Sequence, residues 1–283
     1  MLLIRHGQPG KEKTGVVLDG KYYDTSTFGE DYNEHFFGGD GLERLKAFAK
    51  KGGLKPLPEG VRLGSPIARP SKIVCIGLNY IDHAKETGAT LPPEPVIFMK
   101  STTALVGPND NIIIPRDSKK TDWEVELALV IGKKASYVEE KDALDHIAGY
   151  VLHNDISERE FQIERSGTWD KGKGCDTFAP MGPWLATTDE VGDVHNLRLW
   201  LTVNGKKMQD GNTKNLLFKI PFLVAYTSRF MTLLPGDVIS TGTPAGVGLG
   251  MNPNVYLQPG DLVELGIDHL GQARQHVKAY SHG

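Results

Sequence analysis

The sequence has 283 residues, with 32 lysines and arginines against 35 aspartates and glutamates, which gives a formal net charge of −3 at pH 7. This near-balance argues against a protein that binds nucleic acid or an anionic membrane through bulk positive charge. Hydrophobic residues make up 39% of the chain and charged residues 24%, so it can bury a normal core and is neither disordered nor collagen-like. The 33 glycines and 17 prolines predict many turns between short strands.

The sequence shows no sign of a membrane segment or a disulfide framework. No apolar run approaches the roughly 18 residues that a bilayer-spanning helix needs. Arg5 and His6 lie where a signal peptide would be apolar. Two cysteines, Cys75 and Cys175, are too few for a disulfide scaffold. Cys175 lies in a polar glycine loop and could be reactive, but it has no specific histidine partner for nucleophilic catalysis. We therefore expect a cytoplasmic protein with two reduced thiols.

The N-terminal region predicts a small α/β module. Short β-like segments cover residues 15–19 and 21–25, and an amphipathic helix is predicted over residues 41–50. The following segment, 51–70, contains four prolines and four glycines, which is typical of a connection. These features predict an N-terminal domain over residues 1–65 and a larger catalytic domain over residues 66–283.

Strand patterns dominate the rest of the chain. They occur at residues 72–77, 96–99, 111–114, 124–131, 148–154, 197–203, 237–241 and 262–267. Helical patterns are fewer and occur at residues 142–146, 157–165 and 216–232, the last with Pro221 near its start, where proline is tolerated. The order predicts a mostly β protein with some helix (α+β) rather than alternating βαβ units.

The first polar motif follows the strand predicted at residues 72–77 and contains Tyr80, His83 and Glu86. If the chain turns helical after Asn79, His83 and Glu86 lie three residues apart on one helix face. There the carboxylate could orient the imidazole and raise its basicity, so that the pair deprotonates a water molecule. A surface histidine with an incidental acidic neighbour is the other interpretation.

Three carboxylates form the sharpest signal. Glu124 and Glu126 alternate with apolar residues at the start of a strand, so both point to one face, and Asp155 follows the end of the strand predicted over residues 148–154. Carboxylate ligands without clustered cysteine or histidine favour Mg²⁺, with Mn²⁺ or Ca²⁺ as substitutes, over zinc or copper. Asp122 could be a fourth ligand. A solvated strand face remains the alternative.

Two glycine-rich segments follow. The segment around Lys173 nearly matches a phosphate-binding loop, but Gly174 stands where serine or threonine should bind Mg²⁺, and no apolar strand precedes it. We therefore interpret Lys173 as a cation held by a glycine-shaped loop, able to neutralise an oxyanion. The segment 242–250 is either a tight turn or a turn whose backbone N–H groups and Thr243 hydroxyl hold a carboxylate.

Five separated motifs resemble, in order, those of the fumarylacetoacetate hydrolase family over about residues 70–280. They are Asn79-Tyr-x-x-His83-Ala-x-Glu86, Glu124-x-Glu126, Asn154-Asp155-x-x-x-Arg159-x-x-Gln162, Lys173-Gly-x-Asp-Thr-Phe and Gly242-Thr-Pro-x-Gly-Val. The resemblance implies a mixed β-roll, often preceded by a small N-terminal domain, and a homodimer.

The resemblance also implies roles for individual residues. Glu124, Glu126 and Asp155 would be the Mg²⁺ ligands, His83 with Glu86 the water-activating dyad on a mobile lid, and Lys173 the group that polarises the substrate. Substrate contacts are expected from a further set: Tyr80, Arg159, Gln162 and Thr243.

These roles imply a metal-dependent hydrolase that cleaves the C3–C4 bond of a 2,4-diketo acid to pyruvate and a carboxylic acid. The expected partner is a small 2-oxo acid, such as 2,4-diketo-3-deoxy-L-rhamnonate, the corresponding fuconate or another acylpyruvate, and not a nucleic acid or a membrane. Oxaloacetate decarboxylation and ureidoglycolate cleavage on the same site remain alternatives, because fold and ligands do not separate these reactions. A non-catalytic metal-binding protein would be expected to lack His83, Glu86 or Lys173, and all three are present.

Overall fold

The computed structural model describes residues 1–86, 90–165 and 167–281, without the side chains of residues 83–85. Within these ranges, no helix combines the length and the apolar character needed to cross a membrane.

Strands dominate the structure, as the sequence predicts. They are β1 (Leu2–His6), β2 (Lys13–Leu18), β3 (Lys21–Asp24), β4 (Lys55–Pro56), β5 (Leu63–Gly64), β6 (Ile73–Gly77), β7 (Val96–Lys100), β8 (Leu105–Val106), β9 (Ile112–Ile114), β10 (Thr121–Asp122), β11 (Val125–Ile131), β12 (Ile147–Asn154), β13 (Ser157–Glu158), β14 (Ala179–Thr187), β15 (Arg198–Val203), β16 (Lys206–Asn212), β17 (Val238–Ser240), β18 (Leu262–Ile267) and β19 (Gly271–Ala279). Each of the eight strands predicted after residue 65 overlaps an observed one.

The helices are short. They are α1 (Glu34–Gly38), α2 (Gly41–Lys50), α3 (Ile81–Glu86), α4 (Asp170–Lys173), α5 (Thr188–Val191) and α6 (Ile220–Thr227), with a π-helical turn at Glu160–Glu164 and 3₁₀ turns at Ser26–Phe28, Thr102–Ala104, Glu140–His146, Thr213–Asn215 and Gly248–Gly250. The prediction for α2 is confirmed to the residue. The long helix predicted over 216–232 is wrong in extent, since Pro221 lies in the first turn of a helix that ends at Thr227.

Most strands join one large mixed sheet. Its order is β4-β3-β2-β1-β14-β12-β11-β17-β6-β7, with β5 also paired to β1 and β8 to β14. A second sheet has the order β16-β15-β18-β19-β9, and β10 pairs with β13. Most pairs are antiparallel, but three are parallel: β17 with β6, β8 with β14, and β9 with β19. This arrangement confirms the predicted mostly β class with a mixed sheet.

The N-terminal strands continue the large sheet. Leu2 and Leu3 of β1 pair with Ala186 and Leu185 of β14, so hydrogen bonds run directly between the two predicted domains. A division at residue 65 stays a prediction.

The fold places the candidate site where β11 begins and β12 ends. These two strands are antiparallel, with Val125 opposite Asn154 and Glu126 opposite His153. The first residues of β11 therefore lie beside the last residues of β12. All seven residues of β11 are buried, so Glu126 lies within the protein interior.

Candidate metal centre and active site

The antiparallel register brings three carboxylates together. Each of Glu124, Glu126 and Asp155 offers an oxygen, and these oxygens lie within 4.8 Å of one another. The three residues are at most 5% exposed. Like charges this close and this deeply buried repel strongly unless a cation lies among them. Oxygen donors alone suit a hard divalent cation such as Mg²⁺, Mn²⁺ or Ca²⁺, so the residues fit the metal that the sequence predicts.

Two buried lysines contact the same carboxylates. The Nζ atom of Lys173 lies 2.6 Å from Glu124 Oε2 and 2.8 Å from Asp155 Oδ2. Lys100 donates to the other oxygen of Asp155 at 2.5 Å and to the carbonyl of Ile156 at 3.0 Å. Sequence analysis missed Lys100, a lysine that ends an otherwise apolar strand.

The surroundings of Lys173 differ from the glycine-shaped loop that was expected. Lys173 ends the helical turn α4, and the preceding residue, Gly172, packs against the chain at Glu158 and Gln162. A Cβ atom on Gly172 would lie 2.4 Å from the Glu158 carbonyl oxygen and 2.6 Å from the Gln162 nitrogen. Glycine is needed here because α4 approaches another backbone closely, which brings Lys173 to the carboxylates.

Arg159 forms one wall of the site. Its guanidinium donates to Asp122 Oδ2 at 2.8 Å, to Glu124 Oε1 at 2.7 Å and to Gln162 Oε1 at 3.0 Å. Arg159 and Gln162, the predicted substrate contacts, thus lie together beside the carboxylates. Their substrate role stays a prediction.

Asp122 is fully hydrogen-bonded. Oδ1 accepts from the backbone N–H groups of Trp123 and Gly248 at 2.8 and 2.7 Å. Oδ2 accepts from the N–H of Leu249 at 3.0 Å and from Arg159 at 2.8 Å. Four donors occupy the roughly four lone-pair positions of a carboxylate. The geometry therefore gives Asp122 the task of anchoring Arg159 and the 242–250 loop, and the ligand role considered for it finds no support.

Glu126 has its own hydrogen-bond partners. Its Oε2 accepts from the Ser240 hydroxyl and from the Gly242 N–H, the latter at 3.0 Å. The Ser240 hydroxyl oxygen lies 2.7 Å from Nδ1 of His153. Sequence analysis missed His153 and Ser240, although His153 stands two residues before Asp155 and Ser240 two before Gly242.

Charge and burial shift the pKa values of the site in opposite directions. Burial, together with Asp155 and Glu124, holds the pKa of Glu126 well above its ordinary value. Burial alone would raise the pKa of Asp155, but Lys100 and Lys173 outweigh it and lower that pKa. Burial acts in the opposite sense on Lys173, yet Asp155 and Glu124 raise its pKa. Because burial is the largest cause, the raised pKa shows that the charged form of Glu126 is disfavoured in this site, a cost that a bound cation would offset.

The chain turns helical after Asn79, since α3 begins at Ile81, so the condition for the predicted dyad is met. The side chain of His83 lies outside the described residues, so its geometry with Glu86 stays a prediction. The Glu86 carboxylate accepts from the Gly246 N–H, with both oxygens within 3.0 Å. It therefore contacts the same glycine-rich loop that Asp122 anchors, which brings the first and last motifs together.

The remaining predicted contacts have different environments. The Thr243 hydroxyl donates to the Val125 carbonyl at 2.9 Å and accepts from Gln209 at 2.8 Å, so it ties the loop to β11. Tyr80 is buried, and its hydroxyl has no hydrogen-bond partner in the described ranges. Burial and then the charge of Glu126 raise the pKa of Tyr80 well above its ordinary value. A substrate role for either residue stays a prediction.

A large groove lies away from this site. It has a volume of about 1000 Å³ and runs between the N-terminal strands and the segment around residues 102–111. Its charged walls are paired, with Arg5 bound to Asp31 at 2.7 Å and Arg62 to Asp110 at 2.6 Å. None of the three clustered carboxylates lines it.

The chain is similar to known proteins over nearly its whole length. The family described as fumarylacetoacetate (FAA) hydrolase C-terminal matches residues 72–278. A Burkholderia multivorans protein with a provisional hydrolase name and no stated substrate is 51% identical over 282 residues, which cover 99% of each chain.

Solved structures agree across nearly the whole chain. A fumarylacetoacetate hydrolase from Exiguobacterium antarcticum has a TM-score of 0.84 at 34% identity, covering 99% of this chain and 100% of its own. Maleylpyruvate hydrolase from Sphingobium sp. SYK-6, solved with manganese(II) and pyruvate, has a TM-score of 0.83 at 31% identity with the same coverage. A 2-hydroxyhepta-2,4-diene-1,7-dioate isomerase from Mycobacterium marinum has a TM-score of 0.76 at 34% identity, covering all of both chains. The chain therefore belongs to the fumarylacetoacetate hydrolase family.

Proposed function

We propose that the protein is a divalent-metal-dependent hydrolase that cleaves the C3–C4 bond of a 2,4-diketo acid, giving pyruvate and a carboxylic acid. The observation that carries this proposal is the buried cluster of Glu124, Glu126 and Asp155, in contact with Lys173. The manganese and pyruvate bound to the similar maleylpyruvate hydrolase support a metal and a pyruvate unit as the shared requirements. The preferred substrates are 2,4-diketo-3-deoxy-L-rhamnonate, the corresponding fuconate or another acylpyruvate.

Glu124, Glu126 and Asp155 would hold the cation through carboxylate oxygens. Bound there, a divalent cation supplies a Lewis acid and a template for the carboxylate and 2-keto oxygens of the substrate. We extend the proposal to Mg²⁺ as the ion in the cell, with Mn²⁺ or Ca²⁺ as substitutes. We also propose that the protein is a cytoplasmic homodimer in which residues 1–65 form a separate domain.

The residues of the chain then divide the reaction between them. His83, oriented by Glu86, removes a proton from a water molecule whose oxygen adds to the C4 carbonyl. The C3–C4 bond breaks, and its electron pair passes to C3 as the pyruvate enolate, which takes up a proton to give pyruvate. The buried ammonium of Lys173 offsets the negative charge that develops on the enolate oxygen. Arg159 and Gln162 bind the oxygens of the substrate at the wall of the site.

Isomerisation or decarboxylation of a related 2-oxo acid is the second candidate. The isomerase from Mycobacterium marinum matches this chain over its full length, which favours a shared site with different chemistry. Both reactions would pass through an enolate, so Lys173 and the three carboxylates that would hold a cation suit either. The difference lies in water activation, because hydrolysis alone requires a base for an attacking water molecule.

A substrate panel tests the proposal. Purified protein with Mg²⁺ is offered acylpyruvates, 2,4-diketo-3-deoxy sugar acids, oxaloacetate, ureidoglycolate and 2-hydroxyhepta-2,4-diene-1,7-dioate. Products are identified by mass spectrometry. In H₂¹⁸O, we expect pyruvate and a second carboxylic acid that carries one oxygen atom from the labelled water. In His83→Ala, formation of these products should fall by orders of magnitude. Turnover of the isomerase or decarboxylase substrates alone, or wild-type turnover in His83→Ala, would refute hydrolysis.

A further inference from the structure

Three adjacent strands carry a chain of hydrogen bonds that ends on Glu126. Glu126 on β11 lies directly opposite His153 on β12, and Ser240 on β17 pairs with Ala128 of β11. Residues two apart on a strand share a face, and so do directly opposed residues on neighbouring strands. The side chains of Glu126, His153 and Ser240 therefore lie on one face of the sheet, and their contacts join three strands.

The donors in this chain can be assigned. Ser240 donates to Oε2 of Glu126, which also accepts from the Gly242 N–H. A serine hydroxyl has one proton, so once Ser240 donates to Glu126 its oxygen can only accept at its other contact. That contact is Nδ1 of His153 at 2.7 Å. His153 therefore donates to Ser240 through Nδ1–H.

The other ring nitrogen of His153, Nε2, is buried. The residue is fully buried, and its Nε2 has no hydrogen-bond partner in the part of the chain that the structure describes. Burying an imidazole with one unpaired nitrogen costs free energy that an apolar side chain of similar size would avoid. What His153 adds over such a side chain is its hydrogen bond to Ser240.

We propose that His153 is a positioning residue of the cation site. It fixes the Ser240 hydroxyl, which together with the Gly242 N–H holds one oxygen of Glu126 and leaves the other oxygen directed to the cation. Hydrogen-bond partners of this kind orient ligating groups and raise metal affinity. The inference rests on the proposed function, because it takes Glu126 as a ligand of the cation. It concerns the other oxygen of that carboxylate, Oε2, which Ser240 and Gly242 hold.

Two variants of His153 separate this role from simple packing. In His153→Leu the hydrogen bond to Ser240 is lost, whereas in His153→Asn the side-chain amide can reach the position of Nδ1. Calorimetric titration of the full-length protein with Mn²⁺ should show about 10-fold or weaker binding for His153→Leu. His153→Asn should stay close to the wild-type protein. Equal Mn²⁺ affinity in His153→Leu and the wild-type protein would overturn the inference.

Stability provides the matched control. Without metal, His153→Leu should unfold at the same temperature as the wild-type protein or higher, because leucine removes a buried polar group. If His153 served only packing, His153→Leu would be less stable than the wild-type protein and would bind Mn²⁺ with the same affinity. Excess Mn²⁺ should restore kcat in His153→Leu, and an unrestored kcat would contradict a role limited to metal affinity.

Nitrogen NMR of the wild-type protein separately tests whether His153 donates to Ser240 through Nδ1–H. With ¹⁵N-labelled histidine, we expect the proton of His153 on Nδ1, and a proton found on Nε2 alone would overturn the assigned direction. A protein that binds Mn²⁺ but turns over no substrate of the panel would refute the proposed reaction and leave the calorimetric comparison decisive for His153. A wild-type protein without Mn²⁺ affinity would overturn both.

Discussion

Lys100 and Asp155 form a fully buried ion pair, with Nζ and Oδ1 2.5 Å apart. The pair connects β7, the last strand of the large sheet, to the end of β12. Lys173 contacts the second oxygen of the same carboxylate, so Asp155 lies between two cations. Burial alone would raise the pKa of Asp155, but the two lysine ammonium groups lower it. The pKa of Glu126 is raised by burial and by the charges of Asp155 and Glu124.

Removal of Lys100 should destabilise the metal-free protein. Breaking a buried ion pair costs about 3–5 kcal/mol, and Lys100→Met should lie near the lower end because Lys173 still contacts Asp155. Urea unfolding in a chelator measures the change, with the exposed Lys141→Met as control, expected within about 0.5 kcal/mol of wild type. Mg²⁺ should recover part of the loss by adding positive charge near Asp155. Equal stability of Lys100→Met and Lys141→Met would contradict the importance of this pair.

Asp122 and Asp155 should respond differently to the same chemical change. Asp155→Asn removes the charge of a carboxylate that we propose as a cation ligand, so it should abolish Mn²⁺ binding in calorimetry. Asp122→Asn should keep one bound Mn²⁺, because the four donors around Asp122 give it an anchoring role. Its defect should appear as a lower kcat/KM, since Arg159 and the 242–250 loop lose an anchor. Complete loss of Mn²⁺ binding in Asp122→Asn would restore the idea of a fourth ligand.

Gly172→Ala should displace Lys173 without touching its charge. The new methyl group would meet two backbone atoms closer than 3 Å, and overpacking of this kind costs about 1–3 kcal/mol. We expect lower thermal stability, and a lower kcat because the Lys173 ammonium moves away from the carboxylates. Thermal unfolding and turnover of the same preparation measure both. A wild-type kcat in the Gly172→Ala variant would show that the close approach of α4 is not required.

The two thiols should react slowly in the folded protein. Burial and the charge of Asp155 raise the pKa of Cys75 well above its ordinary value, and burial also raises that of Cys175. At about pH 8 both cysteines are therefore less ionised to the reactive thiolate than a free cysteine. Their alkylation should become faster only as the pH approaches the raised pKa values. Mass spectrometry after iodoacetamide should find Cys75 unlabelled and Cys175 labelled slowly, with both labelled in urea. Fast labelling of native Cys175 would indicate an activated thiol.

The sequence predicted what depends on local pattern. Alternation places Glu124 and Glu126 on one face, a strand end places Asp155 near them, and the 41–50 periodicity gives α2 to the residue. β14 was missed, because Pro180, Gly182 and Pro183 are residues typical of turns, yet its neighbours in the sheet hold it extended. Tertiary pairing, which no short pattern encodes, decided that strand.

The missed site residues have the same explanation. Lys100 is an ordinary strand-end lysine in the sequence. Its strand β7 lies four positions from β12 in the sheet, and only the tertiary fold brings its ammonium to Asp155 at the end of β12. Ser240 and His153 come from strands on either side of β11, and only the register reveals that both face Glu126. In contrast, the strand β19, with exposed and buried residues in alternation, carried a period-2 signal that could have been recognised.

The pairing of β1 with β14 gives the N-terminal strands a protective role. A protein shortened to residues 66–283 would keep the pairing of Leu185 and Ala186 with β12 but lose their pairing with β1. The backbone N–H and C=O groups that β14 directs to β1 would then face solvent. Exposed, apolar strand edges recruit strands from other molecules, which leads to aggregation. The first strands thus cover an edge of the sheet that carries the carboxylates at its centre.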